Sequence, residues 1–217
     1  MTLATEHPLA GCTLFVSARS PFARRVRVAL LETGLPSQER TEDVLAPTDE
    51  LIAVNPLARV PTLVTTAGEV MVESGLILQH LWEGLGGAAS PLRPADAASR
   101  RRADLLSGLA VGLNDKSVEH YFERLRPAPH QDPALLQEVR GCVERTLRTF
   151  ERALDGREHL VGDGLTFADL DVSIALTYLD LRVDRTWKAR LPALAALQAR
   201  AEARESMRRT APPPPPT

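Results

Sequence analysis

An α/β domain followed by an all-helical domain is the fold class that this sequence predicts. Up to about residue 85, strand and helix patterns alternate in the order βαβαββα, whereas after residue 95 only helical periodicity is found. Between the two parts, a stretch rich in Gly, Ser and Pro (84–98) is typical of a linker. We therefore expect an α/β domain at 11–88, a helical domain at 95–210 and a flexible proline-rich tail at 211–217.

The first domain opens with a short apolar run, TLFV at 13–16, which predicts a buried strand. A helix with apolar residues at helical spacing follows and ends at Gly34 as its C-terminal cap. In this helix, Arg24, Arg25 and Arg27 are expected to point away from the apolar face. The remaining elements are, in order, a strand within 38–45, a short helix over 48–54, a hairpin over 60–72 with its turn at Gly68, and a helix over 74–85.

Helical periodicity alone runs through the second domain. The expected helices cover 96–125, 133–155, 167–181 and 192–203. In the second of them, apolar residues recur along one face from Val139 to Leu154, which predicts packing in a core. The third opens with TFAD (166–169), where Thr166 and Asp169 can cap each other's backbone N–H groups.

The composition is that of a globular protein and argues against two classes of partner. The 217-residue chain is 44% hydrophobic and 25% charged, with a net charge of −2. Because only 4% of residues are aromatic and no basic stripe is present, we expect no nucleic-acid partner. No apolar run approaches the roughly 20 residues that cross a bilayer, so no membrane association is expected.

The cysteines and histidines give no sign of a metal or disulfide site. Cys12 and Cys142 share no motif, and the chain starts without a signal-peptide pattern, which indicates a reduced, cytoplasmic environment. We expect each cysteine to be a small buried apolar residue. The five histidines show no metal-ligand spacing, so no metal is expected.

The stretch SARSPFARRVRVAL (17–30) places a serine and a proline at a helix start. Proline is favoured in the first turn, so Ser20 lies near the N-cap, where its hydroxyl can accept from the helix N–H groups. The same place suits an anion, because unpaired N–H groups and the helix dipole favour negative charge there. A helix cap and a group that binds a reacting anion are both compatible with Ser20.

Three stretches resemble the cytosolic glutathione S-transferase superfamily: SPFARRVRVAL (20–30), NPLARVPTLV (55–64) and ES (73–74). A fourth, TFADLDV (166–172), is similar to the capping motif of the family's helical domain. The resemblance covers nearly the whole chain and implies a thioredoxin-like first domain. The serine of SPF is similar to that of serine-type members, such as the tau class and the bacterial YibF-like group.

The resemblance implies an enzyme that takes glutathione as co-substrate, needs no metal, and activates the thiol for attack on an electrophilic small molecule. It implies that Ser20 hydrogen-bonds the glutathione thiolate. Glutaredoxin-like and omega-like relatives have cysteine at this position, and since serine cannot form a mixed disulfide, thiol–disulfide reduction through Ser20 is excluded. Two other functions stay open: a glutathione-binding ligand carrier with little transferase activity, and a regulatory or scaffold protein on the same fold.

Four further residues are assigned to glutathione by the resemblance. Val60 precedes Pro61 in a bond that the family holds in the cis form, and its backbone pairs with that of the glutathione cysteine. Glu73 and Ser74 would bind the γ-glutamyl ammonium and carboxylate, although a plain helix start with Ser74 as cap is the alternative. Arg59 would meet the glycine carboxylate, or lie solvated at the surface.

The second substrate is expected in a cleft between the domains. Asn114, Ser117 and Tyr121 fall at helical spacing and are candidates to face it. Contact with solvent or with a dimer partner is an equally open alternative for these three. The sequence does not name the electrophile.

A homodimer is also implied by the resemblance. The run LLSGLAVGL (105–113) offers apolar surface, and the arginines at 100–102 could meet the partner's first domain, since residues 1–92 carry a net charge of −4. The alternative is that these leucines pack only in the helical core.

Overall fold

The computed structural model describes residues 7–86, 90 and 92–214, and these fall into two compact units. The first comprises the described residues up to Arg93 together with Glu205–Pro213. The second comprises Pro94–Arg204 and the described residue Pro214. In the linker predicted over 84–98, residues 87–89 and 91 lie outside the described residues, as do residues 215–217 of the predicted flexible tail.

The first unit has the predicted βαβαββα order. Its elements are β1 (Cys12–Val16), α1 (Pro21–Glu32), β2 (Ser37–Thr41), α2 (Asp49–Val54), β3 (Thr62–Val64), β4 (Val70–Val72) and α3 (Ser74–Gly84). The strands form one mixed sheet in the order β2-β1-β3-β4. Strand β1 pairs parallel with β2 and antiparallel with β3, and β3 pairs antiparallel with β4. The predicted α/β fold of this domain is thereby confirmed.

The register of the sheet brings three chain segments to one end of it. Phe15 near the end of β1 lies opposite Thr62 at the start of β3, and Thr62 lies opposite Val72 at the end of β4. The residues that follow β1, precede β3 and follow β4 therefore leave the sheet at the same end. This arrangement places the predicted site residues near one another.

Helix α1 differs from expectation in where its arginines go. Arg24 and Arg25, which the sequence places away from the apolar face of the helix, are nevertheless buried. The Arg24 guanidinium donates to the Met207 carbonyl oxygen at 3.0 Å and to the Thr210 hydroxyl at 3.3 Å. Arg25 donates to the Ser74 hydroxyl at 3.0 Å. Buried charges are tolerated here because polar groups meet them, and that pairing cannot be seen in a periodicity pattern.

Two parts of the chain form structure that the sequence patterns do not predict. The first is a short helix, α8 (Glu205–Arg209), which belongs to the first unit, whereas the sequence places everything up to residue 210 in the helical domain. This segment belongs to the first unit because Arg24 of α1 donates hydrogen bonds to it. The second is a pair of 3₁₀ turns, Ala128–His130 and Thr186–Ala189.

The second unit is helical, as predicted. Its long elements are α4 (Ala97–Leu125), α5 (Pro133–Leu154), α6 (Phe167–Arg182) and α7 (Pro192–Glu202). The predicted apolar face of α5 is buried in the core of the unit, which α4, α6 and α7 complete. In the residues that the structure describes, no helix is long and apolar enough to cross a membrane. Within the same residues, no group of three or more His, Cys, Asp or Glu side chains could hold a metal ion.

The start of α6 carries the predicted reciprocal cap between Thr166 and Asp169. Asp169 is fully buried, and its carboxylate accepts from the Thr166 N–H at 2.7 Å and the Thr166 hydroxyl at 2.9 Å. It also accepts from the Leu160 N–H at 2.8 Å, so it joins the preceding loop to the helix. One carboxylate therefore satisfies three buried donors.

We expect Asp169→Ala to lower the free energy of unfolding by about 3 kcal/mol or more, because it leaves buried N–H groups without acceptors. Urea denaturation followed by circular dichroism measures this. Asp163→Ala, at an exposed position nearby, is the matched control and should change stability by less than about 0.5 kcal/mol. Equal stabilities of the two variants would contradict the role given to the Asp169 carboxylate.

Candidate functional site

Ser20 caps α1 and keeps its hydroxyl proton available. Its oxygen accepts from the Ala23 N–H at 3.2 Å, with Pro21 in the first helical turn. The side chain is half-buried. Since the cap uses a lone pair of the oxygen, the O–H can still donate to another group. The predicted helix cap is observed, and the geometry leaves room for the second role.

The loop before β3 presents Val60 beside a cis peptide bond. The Val60–Pro61 bond is cis, which is the form that the resemblance implies. Between residues 7 and 86, no hydrogen bond to the backbone N–H or C=O of Val60 is found. Val60 is half-buried, and the side chain of Arg59 is exposed. A peptide-like ligand could pair with the Val60 backbone as it would with a strand edge.

Asn55 holds this loop in place, a role that the sequence pattern does not indicate. The side chain is only 2% exposed. Its amide donates to the Thr62 hydroxyl at 2.9 Å and to the Arg59 carbonyl oxygen at 3.2 Å, and its oxygen accepts from the Leu57 N–H at 3.0 Å. The sequence places Asn55 at a helix end before a proline, and nothing in that pattern separates a loop-bridging amide from an ordinary helix stop.

Glu73 and Ser74 form the start of α3, with Glu73 as the N-cap. Glu73 has a φ of 74°, which is unusual for a residue with a side chain. Its carboxylate accepts from the Gly75 N–H at 2.9 Å and from the Ser74 hydroxyl at 3.3 Å. The Glu73 side chain is exposed, whereas Ser74 is 1% exposed. The sequence alternative, in which Ser74 is the cap, is therefore wrong by one residue.

A buried cation lies directly behind Ser74. The Arg25 guanidinium donates to the Ser74 hydroxyl, and that hydroxyl donates to Glu73. The positive end of α3 adds to this charge. A carboxylate near the α3 N–H groups would be stabilised by both, and an ammonium would be stabilised by the exposed Glu73 carboxylate. The helix start thus offers complementary partners for an α-amino-acid group.

The three residues predicted to face the second substrate, Asn114, Ser117 and Tyr121, lie on α4 of the second unit. They differ in burial and in their contacts. Ser117 is fully buried, and its hydroxyl donates to the Leu113 carbonyl oxygen at 2.7 Å, so it belongs to the helical core. Asn114 is also buried, and its amide oxygen has no partner within the described residues. Tyr121 is half-buried, and the Arg182 guanidinium carbon lies 3.9 Å from its ring centroid. Tyr121 therefore gains a neighbour from α6 that sequence spacing could not indicate.

The two thiols differ in environment. Cys12 in β1 is buried, and this burial raises the pKa of its thiol to about 11. Cys142 in α5 is half-buried, and its sulfur lies 3.2 Å from an Arg145 guanidinium nitrogen. The expectation that both are buried holds for Cys12 only.

Comparison with known proteins gives matches in both units. The family model described as the glutathione S-transferase N-terminal domain matches residues 14–87. The model described as the glutathione S-transferase C-terminal domain matches residues 127–209.

Individual relatives agree with these matches. The uncharacterized GST-like protein YibF of Escherichia coli (strain K12) is 32% identical over 199 residues, which are 91% of this chain and 96% of that protein. Glutathione S-transferase U6 of Arabidopsis thaliana is 26% identical over 170 residues, covering 78% of this chain and 70% of the relative. The crystal structure of a glutathione S-transferase from Methylobacterium radiotolerans JCM 2831, in complex with glutathione sulfonate, is similar with a TM-score of 0.87 and 34% identity, covering 96% of this chain and 97% of that one. This chain therefore belongs to the glutathione S-transferase family.

Proposed function

We propose that this protein is a glutathione transferase that binds glutathione in its first unit and activates the thiol for attack on an electrophilic carbon. The observation that carries the proposal is the convergence of Ser20, Val60 and the Glu73–Ser74 pair at one end of the sheet. The glutathione sulfonate bound to the Methylobacterium radiotolerans relative supports the same co-substrate here.

In the proposed binding mode, the residues of the site bind different parts of glutathione. The Ser20 hydroxyl donates to the sulfur and the Val60 backbone pairs with the cysteine residue of glutathione. The γ-glutamyl carboxylate meets Ser74 and the α3 N–H groups, and its ammonium meets Glu73. Arg59, whose side chain is exposed, takes the glycine carboxylate.

The mechanism follows from these contacts. A free thiol has a pKa of about 8.5 and is mostly protonated at neutral pH. A hydrogen bond from Ser20 and the positive end of α1 both stabilise the thiolate, so they lower the pKa of the bound thiol. The thiolate then attacks the electrophile and forms a thioether while the leaving group departs with the electron pair of the broken bond. No covalent bond to the protein forms.

We propose that the protein acts as a cytoplasmic homodimer. The apolar run at 105–113 offers less free surface than its sequence indicates, because Leu106, Ala110 and Leu113 pack in the helical core. Leu105 stays 62% exposed on α4. On the same face, Gly108 leaves open space where a side chain would lie. Arg101 and Arg102 are exposed, whereas Arg100 donates to the carbonyl oxygens of Pro94 and Ala95 within its own unit.

Ser20→Ala tests the thiolate role. We expect turnover with a halogenated aromatic substrate at neutral pH to fall about 100-fold, the typical effect of losing one donor to a developing anion. The apparent thiol pKa should rise, so activity should recover as the pH increases. Asp96→Ala removes a comparable N-cap from α4, where Asp96 accepts from the Ser99 N–H at 2.8 Å, and it controls for lost capping. An unchanged pH profile in Ser20→Ala would remove Ser20 from the mechanism.

Glu73→Gln tests the γ-glutamyl site. The loss of a charged partner should weaken glutathione binding by about 10- to 100-fold, as measured by calorimetry. A glutathione analogue that lacks the γ-glutamyl ammonium should bind Glu73→Gln and the unmodified protein equally. Glu83→Gln changes an exposed carboxylate at the other end of α3 and should have no effect. If both variants retain full affinity, the ammonium is bound elsewhere.

Leu105→Lys tests the dimer. Sedimentation at micromolar concentration should give about twice the chain mass of 23.7 kDa for the unmodified protein, and a mass near one chain for this variant, because a charge would be buried in the interface. Leu125→Lys alters another exposed leucine of the same helix and should leave the mass unchanged. A single-chain mass for the unmodified protein would refute the dimer.

A further inference from the structure

Helix α8 packs against the helix that Ser20 caps. Both helices belong to the first unit, although the long helices α4 to α7 of the other unit separate them in the sequence. The side chains of Arg24, Ser206, Met207 and Thr210 are all buried. The contact between α8 and α1 is therefore shielded from solvent, where the loss of a hydrogen-bond partner is costly.

Hydrogen bonds attach this segment to both ends of α1. Near the start of α1, the Arg24 guanidinium donates to the Met207 carbonyl oxygen at 3.0 Å and to the Thr210 hydroxyl at 3.3 Å. At the last residue of α1, the Glu32 carboxylate accepts from the Ser206 hydroxyl. Arg24 and Glu32 lie about 12 Å apart along the helix axis, at 1.5 Å per residue. Two attachments at this distance oppose both sliding and tilting of α1 against α8.

The Thr210 hydroxyl joins the two sides of this contact. Its oxygen accepts from Arg24, and its proton is donated to the Ser206 carbonyl oxygen at 2.8 Å. The carbonyls of Ser206 and Met207 belong to the last turn of α8, where C=O groups have no partner within the helix and favour a cation. Removal of the Thr210 hydroxyl would take an acceptor from the guanidinium and a donor from the end of α8.

The arginine held by α8 is bonded to Ser20 through its backbone. The Arg24 N–H donates to the Ser20 carbonyl oxygen at 3.0 Å, which is the first backbone hydrogen bond of α1. The neighbouring Ala23 N–H donates to the Ser20 hydroxyl at 3.2 Å. Groups that act on a reacting atom must be held to within about 0.5 Å, and a displacement of about 1 Å can lower a rate about 100-fold. The position of this first turn therefore matters for any chemistry of the Ser20 hydroxyl.

We propose that Arg24 is a positioning residue for thiol activation and that residues 205–210 form a C-terminal clasp that holds it. The clasp keeps the first turn of α1, and with it the Ser20 hydroxyl, where the hydroxyl donates to the sulfur. This inference rests on the thiolate role proposed above for Ser20. It adds that a segment beyond the helical unit in the sequence sets the acidity of the bound thiol.

Thr210→Val tests the clasp, because it removes the hydroxyl and keeps the size of the side chain. We expect turnover at neutral pH to fall about 10-fold, because a displaced Ser20 hydroxyl donates less well to the sulfur. The apparent pKa of the bound thiol should rise, so the loss should shrink as the pH increases. Thr210→Ser keeps the hydroxyl and should retain the activity and pH profile of the unmodified protein.

Arg27→Gln is the control on the same helix. It removes the ion pair between Arg27 and Glu39, whose atoms lie 2.8 Å apart, and should leave the pH profile unchanged. If Thr210→Val lowers activity by the same factor at every pH, the positioning role is overturned, because a loss of folded protein alone acts in that way. Full activity of Thr210→Val would overturn it as well.

Hydrogen exchange tests the clasp without glutathione. The Ala23 and Arg24 amides both donate to Ser20, so their exchange reports the opening of this cap. Both should exchange about 10-fold faster in Thr210→Val than in Thr210→Ser. Equal exchange in the two variants would contradict the clasp. Absence of turnover in the unmodified protein would instead refute the proposed function, and the exchange rates would still decide whether the clasp exists.

Discussion

Two guanidinium groups buried on consecutive residues of α1, those of Arg24 and Arg25, are the constraint on which the first unit depends. Burying a charge is costly unless polar groups meet it, and leaving a buried donor without its hydrogen-bond partner typically costs about 1–3 kcal/mol, or more for a charged group. Arg24 is met by the carbonyl oxygen of Met207 and the hydroxyl of Thr210, which fixes α8 against α1. Arg25 is met by Ser74, which fixes the start of α3.

The same helix therefore provides both the anchor and the chemistry of the site. Ser20 is the N-cap of α1, and Arg25, in the next turn of the helix, donates to the Ser74 hydroxyl. A change that shifts α1 along its axis would move the hydroxyls of Ser20 and Ser74 together, which are the two groups proposed to bind the sulfur and the γ-glutamyl carboxylate.

The order of the helices and strands could be predicted because each follows from a local pattern. Short apolar runs such as TLFV (13–16) predicted strands, and apolar spacing such as that from Val139 to Leu154 predicted helices. What could not be predicted depends on partners distant in sequence. Arg25 and Ser74 are 49 residues apart, and Arg24 and Thr210 are 186 apart, so each arginine looks like a surface charge until the fold is known. Asn55 is a different case: its partners Arg59 and Thr62 are only four and seven residues away, and its contacts depend on a loop conformation that the sequence pattern does not specify.

The strand that leads into the site contains a sulfur atom of its own, at Cys12. Because burial raises the pKa of this thiol to about 11, it carries almost no thiolate at physiological pH, and the thiolate is the form that attacks disulfides. Oxidised glutathione accumulating in a stressed cell would find a closed, uncharged sulfur in this sheet and an unreactive hydroxyl at Ser20. At the end of the sheet where the proposed site lies, neither Cys12 nor Ser20 therefore offers a thiolate for disulfide exchange, so the proposed conjugation would proceed there without that side reaction.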